Sequence, residues 1–112
     1  MVENHDIDPD EVEAQIEADA DHSEELRQQE LDDVKFVMST AAGRRFMWRY
    51  LSECGVYQDP LSFDTNEVFF LKGRRSIGLS LTVDIHEADL DLYTTMQKEA
   101  AFEEEVLSHA AD

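Results

Sequence analysis

The sequence predicts an all-α fold, a small bundle of three to four helices preceded by an acidic N-terminal arm. Apolar residues recur at three- and four-residue spacing, capping residues precede these segments, and the composition shifts near Ser23. A chain of 112 residues is long enough for one domain. We therefore expect the arm over residues 1–22 and a helical domain over residues 23–108. The arm is expected to be partly disordered or helical.

The charge of the chain is distributed unevenly around a formal net charge of -18. Residues 1–34 hold fourteen acids and one base, whereas residues 35–75 hold seven bases and four acids. Residues 76–112 hold nine acids and one base. Such acidity argues against direct DNA binding, because phosphate contacts need Lys and Arg. It favours attraction to a basic partner, although a solvated acidic surface without a partner is the alternative.

The arm contains a helix start at Asp8-Pro9-Asp10-Glu11. Asp8 can cap a helix, and Pro9 fits the first helical position. The apolar stripe that follows is narrow and surrounded by acids, so an isolated helix here is marginal in water. We expect this segment to fold on a partner. Ser23 is the predicted cap of a second helix that ends near Met38.

The segment 39–55 reads as one complete helix. Ser39 or Thr40 is the predicted cap, and Gly55 is the predicted left-handed residue that follows the last turn. Val56 is expected to pack back on the helix. The apolar face of this helix comprises Gly43, Phe46, Met47, Tyr50, Leu51 and Cys54.

The segment 66–88 fits two structures. Asp64 with Glu67 predicts a capped helix, but residues 77–85 alternate strictly between apolar and small or polar side chains, which is a strand pattern. Gly73 and Gly78 would each cost a helix about 1 kcal/mol relative to Ala, and the residues alone leave both structures open. In a helix, Gly43 and Gly73 would permit close contact between helices. Asp89 is the predicted cap of the last helix.

An ordered set of motifs resembles a known family. The motifs are Ser-Thr-x-x-Gly-Arg-Arg-Phe-x-Trp-Arg at 39–49, Phe-Phe-x-x-Gly-Arg-Arg at 69–75, Glu-Ala-Asp at 87–89 and Met-x-Lys-Glu-Ala at 96–100. Together they resemble a family of small proteins of tailed bacteriophages, whose genes lie among the head-assembly genes near those for portal and scaffold. The resemblance covers about residues 32–101 and implies a helix over 66–88. The family has no established activity, so the resemblance implies no catalytic residue.

Arginines form the clearest candidate site. If the two helices that carry Gly-Arg-Arg pack side by side, the two triplets would lie close together and form a basic patch for a partner. The alternative is that these arginines pair with the chain's own acids, such as Glu53, Glu67 and Asp84. The tryptophan at the edge of this patch fits either a core position or an interface contact. The predicted partner-binding residues are Arg44, Arg45, Trp48, Arg49, Arg74 and Arg75.

The sequence contains no motif for catalysis, metal binding or a cofactor. Cys54 lies on an apolar helix face, where a buried inert thiol is expected even though His86 could be imagined as its base. The four histidines show no paired metal-ligand spacing. One cysteine makes no internal disulfide, which favours a reducing compartment. The longest apolar run, Val68–Leu71, is too short to span a bilayer, and no signal peptide is visible.

These observations and the resemblance predict a non-enzymatic structural or assembly protein that acts in phage head formation or in the virion. The expected partners are phage head proteins (portal, scaffold or capsid), and a homo-oligomer is also open. We expect the host cytoplasm during assembly as its location. The sequence fits equally well an internal virion protein that is ejected with the genome, because that role predicts the same amino-acid composition. The alternative is an acidic DNA mimic that inhibits a host nucleic-acid-binding protein, although the basic middle segment interrupts the negative face that a mimic needs.

Overall fold

The computed structural model describes residues 8–110 and contains four helices, α1 (Pro9–Met38), α2 (Ala41–Glu53), α3 (Thr65–Ala88) and α4 (Leu90–Ala110). No strand occurs among the described residues, and the prediction of an all-α bundle is confirmed. The chain forms two units that divide between Glu30 and Leu31. The first seven residues of the predicted arm lie outside the described part, and the predicted boundary at residue 22 remains a prediction.

The first unit is the acidic part of α1. Asp8 caps this helix as predicted, since its Oδ1 accepts a hydrogen bond from the Asp10 N–H at 3.0 Å. The side chains of residues 8–26 are all exposed. The predicted start of a second helix at Ser23 is wrong, because α1 continues through it to Met38. Neither Gly nor Pro follows Pro9 within α1, so nothing in this stretch is strong enough to break the helix.

The second unit contains the end of α1 together with α2, α3 and α4. The last three helices contact one another pairwise. Each element supplies one fully buried side chain to the core, namely Met38, Leu51, Ile85 and Met96. All four helices therefore contribute to the core, and α4 supplies the most buried hydrophobic residues, Tyr93, Met96 and Ala100.

Both predicted ends of α2 are confirmed. The Thr40 hydroxyl oxygen accepts a hydrogen bond from the Gly43 N–H at 3.0 Å. At the other end Gly55 has a φ of 74°, and the Val56 N–H donates to the Leu51 carbonyl at 3.3 Å. This is a Schellman motif, in which the residue after the glycine packs back on the helix. Val56 is accordingly buried.

The ambiguous segment is helical. Asp64 begins α3 as predicted, with its carboxylate accepting hydrogen bonds from the N–H groups of Asn66 at 2.8 Å and Glu67 at 3.3 Å. The reciprocal half of the predicted capping box is replaced by a different contact, because the Glu67 carboxylate accepts a hydrogen bond from the Ser62 hydroxyl at 3.0 Å. The helix implied by the family resemblance is therefore the correct alternative.

Close packing of α3 against the end of α2 depends on Gly78. A Cβ added to Gly78 would overlap Val56 Cγ2 and lie 2.7 Å from Cys54 Cβ. The prediction that Gly73 permits a close helix contact is wrong, because no atom outside the adjacent part of its own helix lies within 4 Å of the position its Cβ would occupy. Gly43 does lie in a close contact, with the carbonyl of Val37 at the end of α1.

A single residue, Asp89, joins α3 to α4. Its backbone N–H donates to the Ile85 carbonyl at 2.9 Å, and its carboxylate accepts from the Asp91 N–H at 3.0 Å. Asp89 is therefore the cap of the last helix, as predicted. From residue 101 to residue 110 every side chain of α4 is exposed, so the core ends at Ala100.

Candidate protein-binding site

Arg44 makes its contacts within the protein, so its guanidinium is not free to bind a partner. Its Nε lies 2.6 Å from Glu99 Oε1 on α4, and its Nη1 donates to the Met38 carbonyl at 2.9 Å. The Arg44 side chain is only 14% exposed. A single guanidinium thus joins the start of α2 to α4 and satisfies a carbonyl at the end of α1.

Trp48 lies half-buried where α2 meets the loop that follows it. Its ring stacks on the ring of Tyr57, with the two ring centroids 4.9 Å apart, and it packs against the core. The Tyr57 hydroxyl lies 2.9 Å from the Tyr93 hydroxyl on α4. Tyr57 is 44% exposed, and its partial burial, followed by the hydrogen bond with Tyr93, raises its pKa above the ordinary value. Trp48 therefore has a packing role, and the rest of its ring borders the surface.

Arg45 and Arg49 are the exposed arginines of α2. The Arg49 guanidinium carbon lies 5.6 Å from the centre of the Phe46 ring, within the range of a cation–π contact. Phe46 is itself 55% exposed. Arg45 lines a surface groove of about 390 Å³ with Phe102 and Glu103 of α4. An exposed aromatic ring beside two arginines is typical of a protein-binding surface.

Arg74 and Arg75 lie on α3 beside the loop that precedes it. They line a cavity of about 140 Å³ together with residues 58–61 of that loop. The Nε atoms of both arginines are buried and have no hydrogen-bond partner among the described residues. The Arg74 guanidinium carbon also lies 5.8 Å from the centre of the Phe70 ring. These two side chains are half-buried and help to hold the loop against α3.

The two Gly-Arg-Arg triplets do not form the single patch that the sequence predicts. Arg44 is in the first turn of α2, whereas Arg74 Nη2 lies 3.4 Å from the position that a Cβ would take on Gly55, beyond the other end of α2. The triplets are separated by the length of this helix, roughly 15 Å. The acid that pairs with Arg44 is Glu99, which was not among the acids expected to do so.

A candidate surface that the sequence analysis missed is the outward side of α3. Phe69, Ile77 and Val83 are 69%, 59% and 60% exposed. The sequence feature that could have revealed this exposed apolar surface is the strand-like alternation of residues 77–85. When such an alternation is wound into a helix, its apolar side chains are spread around the axis and only some of them reach the core.

Three features of residues 8–110 bear on metal, thiol and membrane sites. No group of three or more His, Cys, Asp and Glu side chains in this range is placed to hold a metal ion. Cys54 is buried, and its Sγ lies 3.6 Å from the position that a Cβ would take on Gly78. No helix in the described part of the chain is long and apolar enough to cross a membrane.

Comparison with known families identifies the segment that holds these features. Residues 34–98 match the Bbp19-like phage proteins, which confirms the resemblance to a phage family. Comparison with curated proteins and with solved structures finds no match. The matched segment contains α2, α3, both Gly-Arg-Arg triplets and the buried residues from Met38 to Met96. Since it spans more than half of the 112 residues, the chain belongs to the family of Bbp19-like phage proteins.

Proposed function

We propose that the protein is a non-enzymatic structural or assembly protein of a tailed phage, and that it acts by protein–protein contact during head formation. Its partner would be the portal, scaffold or capsid protein, met in the host cytoplasm during assembly. Membership of a phage family supports a role in phage biology. The resemblance to proteins encoded among head-assembly genes favours the head over other parts of the particle.

The observation that carries this proposal is the composition and exposure of the α2 surface, defined here as Arg45, Phe46, Trp48 and Arg49. It combines an exposed phenylalanine, the edge of the single tryptophan and two exposed arginines. Residues of these types contribute most to binding energy at protein interfaces. Arg44 is excluded from the surface because Glu99 and the Met38 carbonyl already occupy its guanidinium.

Mass spectrometry of purified virions and of empty precursor heads tests the proposed role. We expect the protein in the precursor heads, and its presence or absence in the mature virion shows whether it is retained. Electron microscopy of particles made by a deletion mutant is the companion measurement. Absence from both particles, with normal heads made by the deletion mutant, would contradict the proposal.

A charge reversal locates the binding surface. We expect Arg49→Glu to reduce incorporation into heads, because it places a negative charge beside Phe46 on the α2 surface. Lys35→Glu is the matched control, since it reverses a 60% exposed charge on α1 that makes only a long ion pair, 3.9 Å, with Asp89. Equal incorporation of both variants would exclude the α2 surface without excluding a head role.

The acidic DNA mimic remains the second candidate, because residues 9–30 form an exposed helix with nine acids and one base. A surface this rich in carboxylates creates a negative potential that attracts the basic surface of a DNA-binding protein. A pull-down from host lysate separates the two functions. Recovery of a host nuclease or polymerase, in place of phage head proteins, would reverse their order.

A further inference from the structure

Arg74 and Arg75 differ from the other half-buried arginines because no acid of the chain pairs with them. Arg27 and Arg44 are also half-buried, and each has a carboxylate oxygen close to its guanidinium, at 3.0 Å and 2.6 Å respectively. Neither Arg74 nor Arg75 makes a hydrogen bond or an ion pair with another residue in the described range 8–110. This is unexpected in a chain with 27 acidic residues.

The environment of these two guanidinium groups makes them strong donors. The Nε atoms of Arg74 and Arg75 are both inaccessible to solvent. A charged donor that is withdrawn from water without an acceptor has a larger free-energy cost than a neutral one. The Phe70 ring, 5.8 Å from the Arg74 guanidinium carbon, supplies no hydrogen-bond acceptor. An anion that reached the two side chains would therefore be bound by charge-assisted hydrogen bonds.

Both arginines line the same cavity, which has a volume of about 140 Å³ and lies between α3 and the loop of residues 54–64. Gly55 and Gln58 belong to the loop side of this cavity. Arg74 Nη2 reaches that side, since it lies 3.4 Å from the position that a Cβ would take on Gly55. The Gln58 amide can donate further hydrogen bonds. The volume is well below the roughly 300–1,000 Å³ of pockets for drug-sized ligands, so the cavity suits a single small group.

Asp59 is the acid that lines this cavity. Its side chain is exposed, and it forms no ion pair with either arginine. The lining therefore carries two positive charges and one negative charge, which leaves it net positive within a chain of net charge -18. Because Asp59 is close enough to repel a bound anion, its removal should strengthen binding.

We propose that Arg74 and Arg75, together with Gln58, form a binding site for a phosphate group. A phosphate group carries about -1.5 to -2 charges at neutral pH and three strong acceptor oxygens. It therefore matches two adjacent guanidinium forks better than the single charge of a carboxylate does. The site lies outside the α2 surface, and phosphate binding is measured on the purified protein. Loss of phosphate binding and loss of head incorporation are thus separate results.

Titration of the full chain with sodium phosphate, at an ionic strength held constant with sodium chloride, tests the site. We expect the NMR signals of the Arg74 and Arg75 Nε–H groups to shift together and to saturate, while those of the exposed Arg45 and Arg49 change little. Sodium acetate at the same ionic strength should bind more weakly. Acetate binding as tight as that of phosphate would overturn the assignment to a phosphate group.

Three variants locate the binding residues. Arg75→Gln should raise the phosphate dissociation constant about tenfold or more, because it removes charge-assisted hydrogen bonds. Lys72→Gln is the matched control, since it removes one positive charge from an exposed position of α3 that does not line the cavity. Asp59→Asn should lower the dissociation constant by up to about fivefold.

Circular dichroism checks that each variant is folded. Asp59→Asn changes an exposed loop residue and still tests the site if Arg75→Gln does not fold. The absence of a saturable shift in the wild type would overturn the proposal. Equal affinity of Arg75→Gln and Lys72→Gln, or weaker binding by Asp59→Asn, would do the same.

Discussion

Arg44 stabilises the fold through contacts that one truncation removes together. Arg44→Met keeps the aliphatic stem but leaves Glu99, which is 34% exposed, and the Met38 carbonyl without the guanidinium. We expect the free energy of unfolding to fall by about 2 kcal/mol. Urea unfolding followed by circular dichroism measures this change.

The exposed Arg45→Met is the control for this experiment and should change stability by less than about 0.5 kcal/mol. A double-mutant cycle with Glu99→Gln separates the ion pair from the hydrogen bond to Met38. If Arg44→Met and Arg45→Met are equally stable, the contacts of Arg44 with Glu99 and the Met38 carbonyl do not stabilise the fold.

The glycines of α3 differ in what an added methyl group would do. Gly78→Ala should lower the free energy of unfolding by about 1–3 kcal/mol, because its Cβ would overlap Val56 and crowd Cys54. Gly73→Ala should raise it by about 0.5–1 kcal/mol, since the position is open and Ala favours the helix. Both are measured by urea unfolding followed by circular dichroism. Opposite signs are expected, and the same sign for both would contradict the packing described for Gly78.

The hydrogen bond between Tyr57 and Tyr93 gives a stability change at alkaline pH. Because the pKa of Tyr57 is raised in the folded protein, the folded state keeps this proton longer than the unfolded state does. The stability contribution is complete below about pH 10, the ordinary pKa of tyrosine, and is lost as the pH rises above it. Urea unfolding from pH 8 to pH 11 should show a weaker alkaline loss for Tyr57→Phe than for Tyr50→Phe. An identical pH dependence in the two variants would exclude this role for Tyr57.

At the scale of single residues, the sequence predicts helix caps better than it predicts which side chains pair with each other. Thr40, Gly55, Asp64 and Asp89 were identifiable because a cap acts within a few residues of itself. The pairing of Arg44 with Glu99 joins positions 55 residues apart, so no local pattern reveals it. The chain offers many acids, and only the packing of α4 against α2 selects this one.

Helix α1 is exposed over residues 9–30 and becomes buried toward Met38. We expect its local stability to increase in the same direction. Over residues 9–30 the side chains are almost all exposed, so burial of apolar surface contributes little to the stability of this part of the helix. Amide hydrogen exchange by NMR should therefore be much faster in residues 12–28 than at Leu51 or Ile85. Protection of the arm equal to that of Leu51 would show that a further contact stabilises it.

A helix could be predicted from the sequence where its apolar residues followed a single spacing. The face of α2 repeats at three and four residues, and the structure places Met47 and Leu51 of that face in the core. In α3 two periods compete, because residues 77–85 alternate as in a strand while Asp64 and the family resemblance indicate a helix. The helix forms at the expense of leaving Ile77 and Val83 exposed, which is why the pattern alone left both structures open.

For the whole molecule, a net charge of -18 on 112 residues opposes compaction. Sodium chloride from about 0.01 M to about 1 M shortens the Debye length from about 30 Å to about 3 Å, so we expect it to raise the midpoint of urea unfolding. The partly buried pair of Arg44 and Glu99 is screened less than the exposed acids are. A midpoint that falls with salt would mean that attractive pairs outweigh the repulsion.

The stacking of Trp48 on Tyr57 gives the native protein an optical reporter. Trp48 is the single tryptophan, and its ring centre is 4.9 Å from that of Tyr57, well within the range of resonance energy transfer. Its fluorescence therefore originates at one place, where α2, the following loop and α4 come together. A partner that covers Arg45 would exclude water from the indole and shift its emission to shorter wavelengths, so docking on this surface can be followed by light without attaching a label.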